Sequence, residues 1–298
     1  MHFCARCKKI LTFFHSGAIM VINMKLSKFF QNKTVVLTGA SSGIGKGLCL
    51  LLIKKGGARV IGIGRSQEKM LSLQKELGED ADKFSFSLFD VSVRQNWLNF
   101  AANLAQNGVC VDILINNAGA FASFLKAANT SAETYRAIAE TNYLSAVYAT
   151  SATLPLIPKQ KECGIVNVCS SAALCSVVGT AAYSASKAAL KAYTECLMME
   201  EKDRFIAVYF PGTTKTELFR NDENTKNSAL DLVATSADKM AKKIAKCIAK
   251  KKKRAVLGID AKLMNFTAKV APVWGLKMIA WVMKKSKSKV FKNVFLEE

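Results

Sequence analysis

The sequence has little that would divide it. Only four of its 298 residues are proline, and no Gly/Ser-rich stretch separates two halves, so nothing marks a linker between domains. Its longest mostly apolar stretches, Ile10–Ile22 and Val270–Met283, fall short of the roughly 20 residues that cross a bilayer. Acid is scarce as well: 22 Asp and Glu stand against 43 Lys and Arg, a net charge of +21. The imbalance concentrates at the end, where residues 226–298 hold 18 Lys/Arg and five Asp/Glu. A basic surface of this kind attracts anions such as acidic headgroups or a phosphorylated cofactor, or is simply a solvated face.

Nine cysteines occur at irregular spacings. A chain of this size needs no disulfide staples, so free thiols and a reducing cytoplasm are expected. Cys4 and Cys7 form a lone CxxC with no second pair nearby, and no metal site is expected from two ligands. Arg6, Lys8 and Lys9 precede the apolar run Ile10–Ile22 in the outline of a signal peptide. That run is broken by His15, Ser16 and Gly17 and lacks a small-residue cleavage site. Residues 1–31 are therefore expected to be a poorly ordered extension, with a membrane-associated arm as the alternative.

With 50% apolar residues, the chain can bury one large core. Short β-branched runs alternate with stretches of helical periodicity. The pattern predicts strands at Thr34–Thr38, Arg59–Ile63, Phe84–Phe89, Val111–Ile115, Gly164–Cys169, Ile206–Phe210 and Ala255–Ile259. Predicted helices include Lys46–Lys55, Gln67–Leu77, Val93–Ala105, Ala132–Leu154, Ala182–Glu201 and Lys239–Lys253. Strands and helices in this order make an α/β fold, a doubly wound parallel sheet of Rossmann type. One domain is expected over residues 32–259, with a helical C-terminal extension over residues 260–298. Ligands of such sheets bind beyond the carboxyl ends of the strands.

The chemistry-bearing motifs lie at those ends. Thr38-Gly39-Ala40-Ser41-Ser42-Gly43-Ile44-Gly45 joins the first strand to a helix. Glycines there let the backbone approach a pyrophosphate, and the helix N-terminus offers amide donors. A P-loop is excluded by spacing, because Gly47 stands where Ser or Thr would bind magnesium. Asn116-Asn117-Ala118-Gly119 follows the fourth strand, and Tyr183-Ser184-Ala185-Ser186-Lys187 opens a later helix. Tyr183 and Lys187 are four apart and share one helix face.

In order and spacing these three motifs resemble those of the short-chain dehydrogenase/reductase family, over about Lys33 to Leu218. The resemblance implies one Rossmann domain that binds NAD(H) or NADP(H) and interconverts an alcohol and a carbonyl. It implies cofactor contacts from Gly39, Ser41, Ser42, Gly43, Ile44 and Gly45. It adds Asp90 and Val91 beside the adenine, Asn117, Ala118 and Gly119 beside its ribose, and Thr214 and Thr216 of the turn Pro211-Gly212-Thr213-Thr214-Lys215-Thr216 at the nicotinamide. Tyr183 is implied as the catalytic acid/base, Lys187 as the group that lowers its pKa and binds the nicotinamide ribose, and Ser170, thirteen positions earlier, as the hydroxyl that steadies the substrate oxygen. Asn142 matches an asparagine that holds a relay water, and a helix-interior hydrogen bond is the plainer reading of it. Cys169 replaces the first of the family's usual two serines, and Ala173 and Ser176 stand where glycines are common.

The second strand ends Gly62-Ile63-Gly64-Arg65-Ser66. It lacks the carboxylate that would bind a free ribose 2′-hydroxyl, and Arg65 can instead bond a 2′-phosphate. NADP(H) is therefore expected over NAD(H). The sequence names no substrate. The extension carries Trp274 and Trp281 in an apolar run followed by Lys284, Lys285, Lys287, Lys289 and Lys292. Such a segment suits either an interfacial helix on an anionic membrane or a helix pair packed over the substrate cleft or another subunit. Either version points to a hydrophobic carbonyl or alcohol substrate. Its aromatics sit inside apolar runs, which argues against nucleic acid. A cytoplasmic homo-oligomer is expected, with a peripheral place on an anionic membrane as the alternative that the extension leaves open. The competing reading is an NADP(H)-binding regulatory or scaffold protein without turnover.

Overall fold

The computed structural model describes residues 24–216, 218, 234–286 and 289–295. The expectations for residues 1–23 and for most of the segment after Thr216 lie outside them. Seven parallel strands form the main sheet: β1 (Thr34–Thr38), β2 (Arg59–Gly64), β3 (Phe84–Leu88), β4 (Ile113–Asn116), β5 (Gly164–Val168), β6 (Phe205–Pro211) and β9 (Arg254–Leu257). Their order is β3-β2-β1-β4-β5-β6-β9. A minor parallel pair joins β7 (Thr214–Lys215) to β8 (Thr235–Ser236).

Parallel strands need crossovers, and helices supply them. They are α1 (Gly43–Lys54), α2 (Gln67–Leu77), α3 (Arg94–Gln106), α4 (Ala132–Ala139), α5 (Ser145–Thr153), α6 (Ala181–Glu200) and α7 (Ala237–Ala249). β1 pairs β2 on one side, with Val36 opposite Ile61, and β4 on the other, with Val36 opposite Leu114. The strand order reverses between β1 and β4, and this is where such a sheet opens a crevice.

Successive residues of each strand face opposite layers. Leu37, Ile113 and Val166 pack with Leu48 and Leu52 of α1 and Ile244 of α7. Val36, Leu114 and Ile165 pack with Trp97 of α3, Ala149 of α5 and Leu197 of α6. Burial on both faces is why the interior strands β1, β4 and β6 read largely as continuous apolar runs, whereas the edge strand β3 alternates Phe and Ser.

The structure departs from the sequence expectations at both ends of the domain. Residues 24–30 are helical, and Leu26 and Phe30 are buried in the core. Leu26 and Phe30 join the core cluster that holds Leu48, Leu52 and Ile53 of α1, and Phe30 lies against Gly56 just beyond α1, so the packed core begins before residue 32. At the other end, β9 stops at Leu257, and Gly258 turns the chain at φ 125 into α8 (Ile259–Val270) and α9 (Pro272–Lys285). The expected helix over Ala132–Leu154 is present, with a π-helical turn at Glu140–Leu144 between α4 and α5.

Candidate active site

The crevice begins with bare backbone. Gly39 and Gly43 hold positive φ values of 65 and 50, open to glycine without strain. A Cβ on Gly45 would sit 2.0 Å from the Gly39 carbonyl oxygen and 2.6 Å from Asn117 Nδ2. Ser42 is the N-cap of α1, yet its side chain makes no capping bond, and the first turn carries no acid. The helix end is left to an external anion, as a pyrophosphate would provide.

Thr38 ties this turn to the next strand. Its buried hydroxyl accepts from the backbone N–H groups of Asn117 and Ala118, each at 2.9 Å. Asn117 Nδ2 donates to the Thr38 carbonyl at 3.0 Å. The two cofactor motifs are therefore one hydrogen-bonded unit.

At the end of β2, the Arg65 side chain is 80% exposed, with Nη1 3.7 Å from Asp90 Oδ2. Ser41 Oγ lies beside Gly64. An exposed guanidinium and a hydroxyl thus flank the place where a ribose 2′-phosphate would lie, and the residues present fit that group. Burial works against the Asp90 carboxylate, but hydrogen bonds from Ser92 and the charge of Arg65 outweigh it and hold the group below its ordinary range. Asp90 caps its own turn by accepting from Ser92 N at 2.9 Å and Ser92 Oγ at 2.7 Å. Val91 is buried, and its carbonyl accepts from Trp97 Nε1.

The reactive groups gather at the ends of β5 and α6. Ser170 and Tyr183 are joined by a side-chain hydrogen bond. The Ser170 hydroxyl also accepts from Ala172 N at 3.2 Å, while its neighbour Ser171 is buried. This separates the two serines: Ser170 meets the tyrosine. Lys187, 3% exposed, donates from Nζ to the Val168 carbonyl at 3.2 Å. Gly119 lies against it, and a Cβ there would come within 3.5 Å of Nζ and 3.2 Å of Asn142 Oδ1.

Electrostatics differ here from the sequence expectation. Burial pushes the Tyr183 phenol up to about 12, and the hydrogen bond with Ser170 draws it back only in part. Burial also disfavours the Lys187 ammonium and lowers its pKa. In this arrangement burial is the largest influence on the tyrosine, while the Lys187 ammonium donates to the Val168 carbonyl.

Asn142 sits in the π-helical turn and is almost fully buried. It accepts from Ala120 N at 2.7 Å and donates to the Ala120 carbonyl at 2.9 Å and to Ser186 Oγ at 3.0 Å. Both amide hydrogens are used, so its side chain braces the Gly119–Ala120 turn against α6.

Beyond β6, Thr214 is buried and donates to the Gly212 carbonyl at 2.9 Å. Thr216 lies against Gly43, where a Cβ would meet its Cγ2 at 3.0 Å. The Pro211–Thr216 turn thus closes over the glycine turn of β1. Sequence reasoning missed what holds it. Asp260, at the start of α8, accepts from Thr213 N at 2.6 Å, and a Cβ on Gly212 would fall 2.2 Å from its carboxylate. No local signal links residues 47 positions apart.

A second missed feature is an aromatic wall. Phe121 packs edge-on against Tyr183, with ring centroids 5.6 Å apart. Phe121 meets Phe124 at 4.9 Å, and Phe124 meets Phe291 at 5.1 Å. Met283, Val290 and Val294 complete the cluster. The C-terminal residues therefore form one side of the space beside the tyrosine.

Comparison with known proteins agrees with this geometry. The short chain dehydrogenase family profile matches residues 33–227. "Dehydrogenase/reductase SDR family member 7B" of Danio rerio is 34% identical over 242 residues, covering 76% of this chain and 77% of that protein. "3-Ketodihydrosphingosine reductase" of Bos taurus is 29% identical over 252 residues, covering 80% and 75%. Among solved structures, the closed form of a serine dehydrogenase complexed with NADP+ has a TM-score of 0.63 at 27% identity, covering 71% of this chain and 87% of that one.

Proposed function

The chain belongs to the short-chain dehydrogenase family, and from that premise we propose that it is an NADP(H)-dependent reductase of a hydrophobic ketone or aldehyde. The observation that carries this reading is the hydrogen-bonded pair Ser170–Tyr183 beside the buried Lys187, at the carboxyl end of the sheet. Bound NADPH supplies the hydride. The Ser170 hydroxyl is placed to donate to the substrate oxygen and polarise it. Tyr183 then gives its phenolic proton to the alkoxide. Lys187 and Asn142 flank Gly119 and hold the floor of the site. The glycine turn, Asn117, Ala118 and the Pro211–Thr216 turn would hold the dinucleotide. Phe121 and Phe124 give the space beside Tyr183 an apolar side, and the name of the Bos taurus relative also supports a hydrophobic ketone.

A raised tyrosine pKa suits the acid role that reduction requires. A phenol held near pKa 12 keeps its proton at neutral pH, and a protonated acid is what reduction consumes. Oxidation needs the phenolate, whose share grows about tenfold per pH unit below the pKa. Ketone reduction should therefore stay nearly flat from weakly acid to weakly alkaline pH, while alcohol oxidation climbs throughout. Steady-state rates in both directions check this, and an oxidation rate that falls as pH rises would refute the assignment of Tyr183 as the acid/base.

Arg65 supports the choice of nucleotide. Hydrogen bonds between charged partners are worth about 1.5–3 kcal/mol, or roughly 10- to 100-fold. Arg65→Ala should weaken NADPH by that factor and leave NADH nearly unchanged, as measured by nucleotide fluorescence titration. Equal loss with both nucleotides would remove Arg65 from the 2′-phosphate site.

A further inference from the structure

Nine of the sixteen large hydrophobic side chains exposed among the described residues lie between Ile259 and Val282, on α8 and α9. Scattered apolar residues need no explanation, but a concentration does. On α8, Ile259, Leu263, Phe266 and Val270 follow one another at helical spacing and form a single stripe, every member exposed. Lys262 and Lys269 run along one edge of it. On α9, Val273, Trp274 and Trp281 are exposed, with Trp274 and Trp281 seven residues apart on one face. Lys277, Lys284 and Lys285 accompany them, and Lys285 Nζ lies 4.6 Å from the centroid of the Trp281 ring.

The two helices pack on each other at Gly275, where a Cβ would meet Thr267 Cγ2 at 2.3 Å. Asp260 is the one carboxylate in either helix, and it turns inward to Thr213. The exposed side chains of the two helices are therefore apolar or cationic, with no acid among them. No described helix is long and apolar enough to cross a membrane.

We propose that the α8–α9 hairpin is a docking surface for an anionic lipid bilayer. Its tryptophans and Phe266 enter the headgroup region, and its lysines meet the lipid charge. Two features argue against a second copy of the chain. A twofold contact would set the same lysines against each other, and no carboxylate of either helix is available to pair with them. The inner side of the same hairpin contributes Ile279 and Met283 to the cluster around Phe124 and Phe291. Docking would thus bring the apolar side of the candidate active site to the lipid surface.

Co-sedimentation of the full chain with vesicles tests this without any turnover, so its outcome is independent of the reductase reading. Vesicles of phosphatidylcholine alone and with added phosphatidylserine are the probes. The full chain should bind the anionic vesicles and release them as salt rises. Replacing Phe266, Trp274 and Trp281 together by Glu should weaken binding roughly tenfold or more, with melting temperature and NADPH fluorescence unchanged. Should that triple variant melt early, replacing Lys262, Lys269 and Lys285 together by Glu decides instead, and the same loss is expected. Failure of the full chain to bind, or unchanged binding by a well-folded variant, would overturn the proposal. So would a wild-type dimer that ignores vesicles and dissociates in either variant, since that would make the face a subunit contact.

Discussion

Tyr183→Phe is expected to abolish ketone reduction while leaving NADPH bound. The substitution removes one oxygen, the atom hydrogen-bonded to Ser170 and placed to protonate the alkoxide. General acid catalysis is worth roughly 10²–10⁴-fold, and the rate should fall within that range or below detection. The ring keeps its edge-on contact with Phe121, so fold and nucleotide affinity should change little. Single-turnover measurement with NADPH and a ketone separates the two effects. Retained turnover would mean that another group delivers the proton. Loss of turnover together with loss of NADPH binding would mean that the phenol is structural.

The second large effect is expected at Gly45. Helix propensity alone says that Gly→Ala inside α1 should stabilise the protein by about 0.8–1 kcal/mol. The geometry gives the opposite sign. The new methyl would sit 2.0 Å from the Gly39 carbonyl oxygen and 2.6 Å from Asn117 Nδ2. Neither can yield cheaply, because Gly39 is backbone and Asn117 is fixed by two bonds to the β1 end. Overpacking of this kind costs about 1–3 kcal/mol. Gly45→Ala should therefore lower the melting temperature and weaken NADPH at least about tenfold, the latter because Gly39 and Asn117 both border the dinucleotide crevice. A variant more stable than wild type would show that α1 is free to move away from β4.

The fold was legible because its sheet is parallel. Strands buried on both faces, such as β1 with Val35–Leu37 and β4 with Ile113–Ile115, leave short apolar runs, and the glycine turn and the Asn116–Gly119 motif stand at their ends. The residues those motifs name come together in space: Ser170 with Tyr183, Asn142 and Lys187 around Gly119, and Asn117 against the first glycine turn. Their electrostatics were less legible. Spacing puts Lys187 on the same helix face as Tyr183, but only depth reveals that burial dominates both.

Long-range supports were not legible at all. Asp260 reaches the Gly212–Thr213 turn across 47 residues, and Phe291 reaches Phe124 across most of the chain. Neither contact has a local pattern. Periodicity also misleads at α8. Ile259, Leu263, Phe266 and Val270 have the spacing of a core-facing stripe, yet all four face outward. Period identifies an amphipathic helix and says nothing about which medium its apolar side meets. The helix over residues 24–30 was missed for a similar reason, since Leu26 and Phe30 are buried by distant partners rather than by their neighbours.

The most direct test of the central claim is NADPH consumption by the full chain, followed against long-chain and polycyclic ketones with NADH in parallel. The account predicts consumption that depends on the ketone, prefers NADPH, and disappears in Tyr183→Phe. Binding of NADPH with no turnover of any ketone, identical in wild type and variant, would favour a nucleotide-binding scaffold. Failure to bind either nucleotide would contradict the account outright.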